Sequence, residues 1–285
     1  MSLAPTQLPV EQSYTERVST DTVEWYFRQC EEHRDLLNDI YVVVPVRPAE
    51  GVNCKLGRML SVWYGEGTAY SHLNDHMGGF IECTRGNIVW TFLKNPPLKP
   101  DGTPCKYLLM IDNDMEPPIN LPYMLARHGK DVVGVCAMSV DQDYGPQLCF
   151  SVKSEDGKYR FPSLRSKKPI PAKGLVEVGH VGTGALLLSR EVLEKFTWDS
   201  SDEVPFLVPD EVRIAGMKTG TLTIGEDIRF CNQLRAKGVK MHVDLEAHCG
   251  HRKTLGLEWD ENMRDKFLDA DSWVVPASGK EITSR

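Results

Sequence analysis

Tyr107-Leu-Leu-Met-Ile-Asp112-Asn-Asp114-Met-Glu-Pro-Pro118 is the stretch on which the reading of this chain turns. Its first five residues are apolar without alternation, the pattern of a strand buried on both faces, as in a parallel sheet covered by helices on either side. The run ends in two carboxylates one residue apart, and two prolines then turn the chain away. Residues i and i+2 of a strand point the same way. Asp112 and Asp114 are therefore expected to converge at the carboxyl edge of a sheet, where open α/β sheets bind ligands. Converging carboxylates repel unless a cation lies between them, and hard oxygen donors favour Mg²⁺ or Mn²⁺. A D-x-D by itself is also the look of a solvated turn; its place at the end of a buried strand is what gives it weight.

Working outward, other elements of the same kind appear. Thr20–Asp39 has the spacing of an amphipathic helix, capped by Thr20 or Asp21. Ile40–Val46 is a short β-branched run ended by prolines 45 and 48, and Asp131–Cys136 is another. Asn87–Lys94, Leu121–His128, Arg190–Phe196 and Glu226–Lys237 read as helices, the last closed by Gly238. Val176–Ser189 is an apolar run punctuated by Gly182 and Gly184, and Val239–Asp244 alternates as a late strand. Strands alternating with helices predict an α/β fold with a mostly parallel central sheet flanked by helices, in one domain. Two irregular stretches, Ser151–Gly174 and Thr197–Thr223, interrupt the pattern, and long loops in a compact domain tend to be functional. The predicted division is a leader and helix over 1–39, the main domain over 40–255, and a helix (Glu261–Leu268) with a polar tail over 256–285.

Composition agrees. The chain has 285 residues, 41% of them hydrophobic and 26% charged, which excludes disordered and fibrous classes and allows a large core. A net charge of −7 speaks against non-specific binding to nucleic acid or membrane surfaces. No apolar run approaches the roughly 18 residues of a membrane span, and the first residues lack the pattern of a secretory signal. The eight cysteines form no C-x-x-C pair, so a zinc ribbon or thioredoxin-like motif is not supported. Several lie in apolar runs and read as reduced, buried thiols, and the expectation is a soluble cytoplasmic protein.

Three further groupings bear on chemistry. Glu226-Asp227 opens a helix; acids there complement the macrodipole, and the same dipole keeps a carboxylate ionised for work as a general base. His248 and His251 follow the late strand, with Gly250 permitting close backbone approach, and either can be structural or a metal ligand. Val178-Gly-His-Val-Gly182-Thr183-Gly184-Ala supplies a tight glycine turn. It is neither a dinucleotide fingerprint nor a P-loop, since no phosphate-binding Lys follows. His72 and His76 stand four apart, but nothing near them completes a metal set, and they read as surface residues.

In this order the motifs resemble the GT-A-fold glycosyltransferases of the family 2-like kind, over about Ile40–His251. Ile40–Pro45 looks like the first strand, whose end, here Pro45 and Arg47, meets the nucleotide. Cys83-Thr-Arg85-Gly-Asn87 is similar to the Ala-Arg-Asn segment that contacts the donor. The resemblance implies a donor site of Pro45, Arg47, Arg85, Asn87, Asp112 and Asn113, and a Mn²⁺ or Mg²⁺ ion held by Asp112, Asp114 and His251. It also implies an acceptor turn of Gly182, Thr183 and Gly184, and Glu226 and Asp227 as catalytic residues with Asp227 as base. The activity so implied is metal-dependent transfer from a nucleotide-diphosphate sugar, UDP-sugar favoured, to an acceptor hydroxyl, with inversion. The expected partners are the nucleotide-sugar and a hydroxyl-bearing acceptor. Residues 49–80, which should contain the first helix and second strand, match nothing in the family's pattern.

Seven Lys and Arg residues between Lys153 and Lys173 face only Glu155 and Asp156 in sequence. They make a solvated loop, a lid over a diphosphate, or a contact for a polyanionic acceptor such as a hydroxymethylated base in viral DNA. Two rivals stand beside the transferase. One is a haloacid-dehalogenase-like phosphatase with Asp112 as nucleophile and Asp114 as acid, although Cys231 occupies the place of its later acid. The other is a non-catalytic carbohydrate-binding protein, which has no need of a base such as Asp227.

Overall fold

The structure is a computed structural model that describes residues 28, 30–46, 54–65, 69–74, 81–141, 145–154, 157–162, 173–208 and 225–251. All of these fall in the first of two compact units, Met1–Arg252; the second, Lys253–Arg285, lies outside the described residues, as does the tail helix expected there. The chain begins with α1 (Arg34–Asn38), β1 (Ile40–Val46), α2 (Cys54–Gly65), β2 (Ala69–Asn74) and α3 (Ile81–Lys94). There follow β3 (Tyr107–Ile111), β4 (Met115–Glu116), α4 (Leu121–Ala126), β5 (Val132–Cys136), β6 (Met138–Asp141), β7 (Gly145–Leu148), β8 (Phe150–Lys153) and β9 (Tyr159–Arg160). The last elements are β10 (Leu175–Val178), β11 (His180–Val181), β12 (Ala185–Ser189), α5 (Arg190–Leu193), α6 (Glu226–Ala236), β13 (Met241–His248) and β14 (Gly250–His251).

A seven-stranded sheet in the order β10-β13-β5-β12-β3-β1-β2 forms the centre. β1 runs parallel to both β2 and β3, and β13 runs parallel to β5. β12 lies antiparallel between β3 and β5, so those two point the same way, and only β12 and β10 run against the rest. The fold is thus α/β with a mostly parallel sheet, as the uninterrupted apolar runs required. The alternation inside those runs decides which layer each side chain joins. Val42, Val44, Leu109 and Ile111 pack with Leu56, Leu60 and Trp63 of α2 and Leu121 and Leu125 of α4. Val43, Leu108 and Met110 pack on the opposite face with Ile88, Val89 and Phe92 of α3 and Phe230 and Leu234 of α6. Each fully buried side chain of this kind contributes about 1.5–3 kcal/mol. Among the described residues no helix is long and apolar enough to cross a membrane.

Several expectations need revision. The segment 49–80 contains α2 and β2, the elements missing from the pattern; Leu56, Leu60 and Trp63 are the one-sided spacing that marks α2, interrupted by Gly57. His72 lies in β2 opposite Val44, and His76 is outside the described residues. The described part of Thr20–Asp39 is helical over 30–32, turns at His33 and continues as α1; the proposed cap lies outside the described residues. Val176–Ser189 is three strands, not one run, broken at Gly179 and at the turn 182–184. The stretch after Ser151, expected to be irregular, pairs β8 with β9 and β11 in a small antiparallel sheet. Gly238 does end α6, at φ 71°, with the Val239 amide donating to the Leu234 carbonyl at 3.0 Å. Seven cysteines are described, all as free thiols.

Candidate active site

The carboxyl end of β3 is tied to β12 by the Asp112 amide, which donates to the Gly184 carbonyl at 2.8 Å. The chain then turns at once, the Met115 amide donating to the Asp112 carbonyl at 3.1 Å. Asp112 and Asp114 therefore do not lie on one continuing strand, and their carboxylates have different partners. Nη2 of Arg85 donates to both oxygens of Asp112, at 2.7 and 2.8 Å. Nη1 of the same guanidinium donates to Oε1 of Glu226. One buried cation, only 3% exposed, thus joins α3, the end of β3 and the start of α6. Burial alone would lower the Arg85 pKa; the charges of Asp112 and Glu226 outweigh it and hold the guanidinium above its ordinary value. Its Nε has no hydrogen-bond partner among the described residues.

Asp114 is placed by a different device. β14 pairs antiparallel with β4, His251 opposite Met115 and Gly250 opposite Glu116. The pairing brings Nε2 of His251 to 3.1 Å from Oδ2 of Asp114, and Nδ1 to 3.1 Å from the Met138 carbonyl. A carbonyl only accepts, so Nδ1 carries the proton. Nε2 and the carboxylate oxygen thus stand at hydrogen-bonding distance, a spacing that a proton or a metal cation between them makes favourable. Among the described residues no group of three or more His, Cys, Asp or Glu converges to hold a metal. Asp112, expected as a third ligand, has both oxygens on Arg85. One imidazole and one carboxylate suit a divalent ion whose remaining ligands come from a bound molecule and water.

Glu226 and Asp227 occupy the first turn of α6, after Gly225. A Cβ on residue 225 would stand 2.9 Å from Oδ1 of Asp227, so glycine there leaves the carboxylate its position. That oxygen accepts from the Ile228 amide at 2.7 Å. Burial, then the neighbouring charge of Glu226, push the Asp227 pKa up, against the opposing pull of the Ile228 amide and of Arg85. Four residues on, Cys231 is buried between α6 and β11 and bonded to the Val181 carbonyl at 3.4 Å; burial raises its thiol to about 12, so it is inert.

The remaining expected residues fall variously. Gly184 packs against Met115, whose sulfur would be 2.9 Å from an added Cβ, and Gly182 closes on Cys149, donating to its carbonyl at 2.6 Å. Thr183 between them is buried. Pro45 is buried near the end of β1, Asn113 sits in the turn between the two aspartates, and Arg47 is outside the described residues. Asn87 is exposed on α3; two residues past Arg85 is about 200° around a helix, so the two do not share a face. The role of Arg85 as a tie between two carboxylates and that of the Met138 carbonyl were not legible in the sequence, because both depend on contacts across more than 100 residues.

No protein-family model matches the chain, and no curated protein matches it. Among solved structures, "Crystal Structure of A197 from STIV" aligns with 78% of this chain and 97% of its own, at 16% identity and a TM-score of 0.42. "Crystal structure of GalNAc-T7 with UDP, GalNAc and Mn2+" aligns with 82% of this chain and 48% of its own, at 10% identity and a TM-score of 0.43. The chain thus spans about half the length of the second. Likenesses at these TM-scores are distant and leave the function to be argued from this chain's own residues.

Proposed function

We propose that this protein is a glycosyltransferase that moves a sugar from a nucleotide-diphosphate sugar to an acceptor hydroxyl. The observation that supports the reading is that the Asp114–His251 pair and the Asp112–Arg85–Glu226 network both start where β3 ends, two residues apart in the chain, with Asp227 beside Glu226. Asp114 and His251 would hold a Mn²⁺ or Mg²⁺ ion, which supplies Lewis-acid stabilisation of a diphosphate leaving group. Arg85 fixes the orientation of Asp112 and Glu226 and adds one positive charge beside them. Asp227 takes the proton from the acceptor hydroxyl; its raised pKa makes it a stronger base than an ordinary aspartate, and base catalysis of this kind is worth roughly 10²–10⁴ in rate. Attack from the side of Asp227 would invert the anomeric centre. The phosphatase alternative needs an Asp112 oxygen free to attack phosphorus, and Arg85 engages both.

Thermal unfolding with UDP, GDP and other nucleotides, each with and without Mn²⁺, tests this. A ligand at about 100 times its Kd adds about 2.7 kcal/mol. The expected result is a metal-dependent shift with one nucleotide, UDP first, that Asp114→Ala abolishes. No shift with any nucleotide in the folded wild-type protein would sink the reading. If the acceptor is a modified base in DNA, transfer to DNA should weaken steeply with salt; activity on free sugars would exclude it.

A further inference from the structure

The small sheet of β8, β9 and β11 and the exposed side of α6 carry a second cluster of rings and donors. Tyr159 and Phe161, two apart on an extended segment, project to the same side. Phe161 is exposed, and its ring lies nearly parallel to the His180 imidazole, with centroids 6.0 Å apart and planes 24° apart. Tyr159 meets the same imidazole edge-on at 5.9 Å. It lies on Gly179, where an added Cβ would come within 2.0 Å of the ring. The Arg235 guanidinium stands over the Tyr159 ring at 4.6 Å.

The imidazole is fixed from both ends. Its Nε2 donates to Oδ1 of Asn232 at 3.2 Å, and its Nδ1 accepts from the Ser151 hydroxyl at 2.8 Å. Nη1 of Arg235 donates to the same Asn232 oxygen at 3.5 Å. Two donors on Oδ1 turn the Asn232 amide nitrogen away from both, on an exposed position of α6. Tyr159 is thus held between Gly179 and the Arg235 guanidinium, and the exposed ring is that of Phe161, on a backing fixed by His180 and flanked by Asn232 and Arg235. Pyranose rings suit such a surface: their C–H face covers an aromatic ring while their hydroxyls take the polar rim, and a pre-ordered face loses little entropy on binding. The position is also apt. β11 leads directly into the turn 182–184, two residues after His180.

We propose that Phe161, Tyr159, His180, Asn232 and Arg235 form a subsite for a sugar ring of the acceptor, adjacent to the ring that receives the transferred sugar. The word acceptor rests on the transferase reading; the sugar site itself does not. Saturation-transfer NMR on the full chain tests it, with methyl glycosides and disaccharides of glucose, galactose, mannose and the N-acetylhexosamines as probes. A short oligothymidylate serves as the contrasting probe. The expected result is saturation of one sugar by the wild-type protein, with affinity roughly tenfold weaker in Phe161→Ala and kept within about twofold in Phe161→Tyr. Arg235→Gln should weaken the same sugar.

Three outcomes would overturn the proposal: no sugar of the panel binds, Phe161→Ala binds as the wild type does, or only the oligothymidylate binds at Phe161. The nucleotide and Mn²⁺ thermal shift on the same sample separates the two ideas. Sugar binding without any nucleotide shift removes the transferase and leaves the sugar site. A nucleotide shift without sugar binding removes the subsite alone.

Discussion

Asp227 carries two opposed demands on a single side chain. Burial and the charge of Glu226 raise its pKa, so the folded state holds its proton more tightly than the unfolded chain does. Stability from this group is complete below the unfolded value of about 3.9 and is lost as pH rises through the folded pKa. At neutral pH the ionised carboxylate is a liability to the fold. Asp227→Asn is therefore expected to raise the thermal midpoint at pH 7, with the gain fading below about pH 4, while transfer falls by roughly 10²–10⁴. Paired thermal melts and rate measurements across pH check this; a variant less stable at pH 7 than at pH 4, relative to wild type, would contradict it. Glu226-Asp227 was visible in the sequence as a pair of acids opening a helix. That Glu226 is held by Arg85 while Asp227 is not was invisible, since nothing local distinguishes two adjacent carboxylates.

At the scale of elements, two-residue strands do what the long ones cannot. β14 and β4 are each too short to be recognised by any period, yet their pairing sets His251 beside Asp114. Gly250 is the tight point: an added Cβ would lie 3.1 Å from the Glu116 Cβ, and the larger Val side chain would force the strands apart. Gly250→Val is expected to leave the central sheet intact and to reduce the Mn²⁺-dependent nucleotide shift, because His251, proposed to share the metal with Asp114, moves. A metal titration followed by thermal unfolding measures it, and an undiminished shift would show that the pairing does not position His251. The long elements were legible for the opposite reason. β1, β3 and β5 are buried on both faces and so must be apolar throughout, whereas α2 runs unbroken over Cys54–Gly65 but mixes Gly57, Arg58 and Ser61 with its apolar residues, which blurs its one-sided spacing.

For the molecule as a whole, a second buried charge, Asp244 on β13, ties that strand to the residues that follow α4. Asp244 is fully buried; it accepts from Nη2 of Arg127 at 3.1 Å, Nε2 of His128 at 2.9 Å and the Glu246 amide at 2.9 Å. Burial alone would raise its pKa; the His128 and Glu246 hydrogen bonds and the charge of Arg127 outweigh it and hold the carboxyl below its ordinary value. The sign is thus opposite to that of Asp227. Its contribution is present above about pH 4 and is lost as pH falls through the folded pKa. Asp244→Asn is expected to cost about 1.5–3 kcal/mol at pH 7 and to flatten the acid limb of stability. Thermal midpoints between pH 2 and pH 7 test this at about unit intervals, and an unchanged acid limb would exclude Asp244 as its source.

The sequence alone determined the class of fold, the strands β1, β3, β5 and β13 and the helices α3, α4 and α6, because burial on one face or on both marks the apolar pattern of an element; α2 and β2 escaped it. It determined the types of chemistry at hand: carboxylates after a buried strand, acids at a helix start, a late histidine after glycine. Only the tertiary structure decided which groups pair. Arg85 is placed between Asp112 and Glu226, His251 beside Asp114, and Asn87 out of reach on the far side of α3, since the partners are chosen by how helices and strands pack across the whole chain.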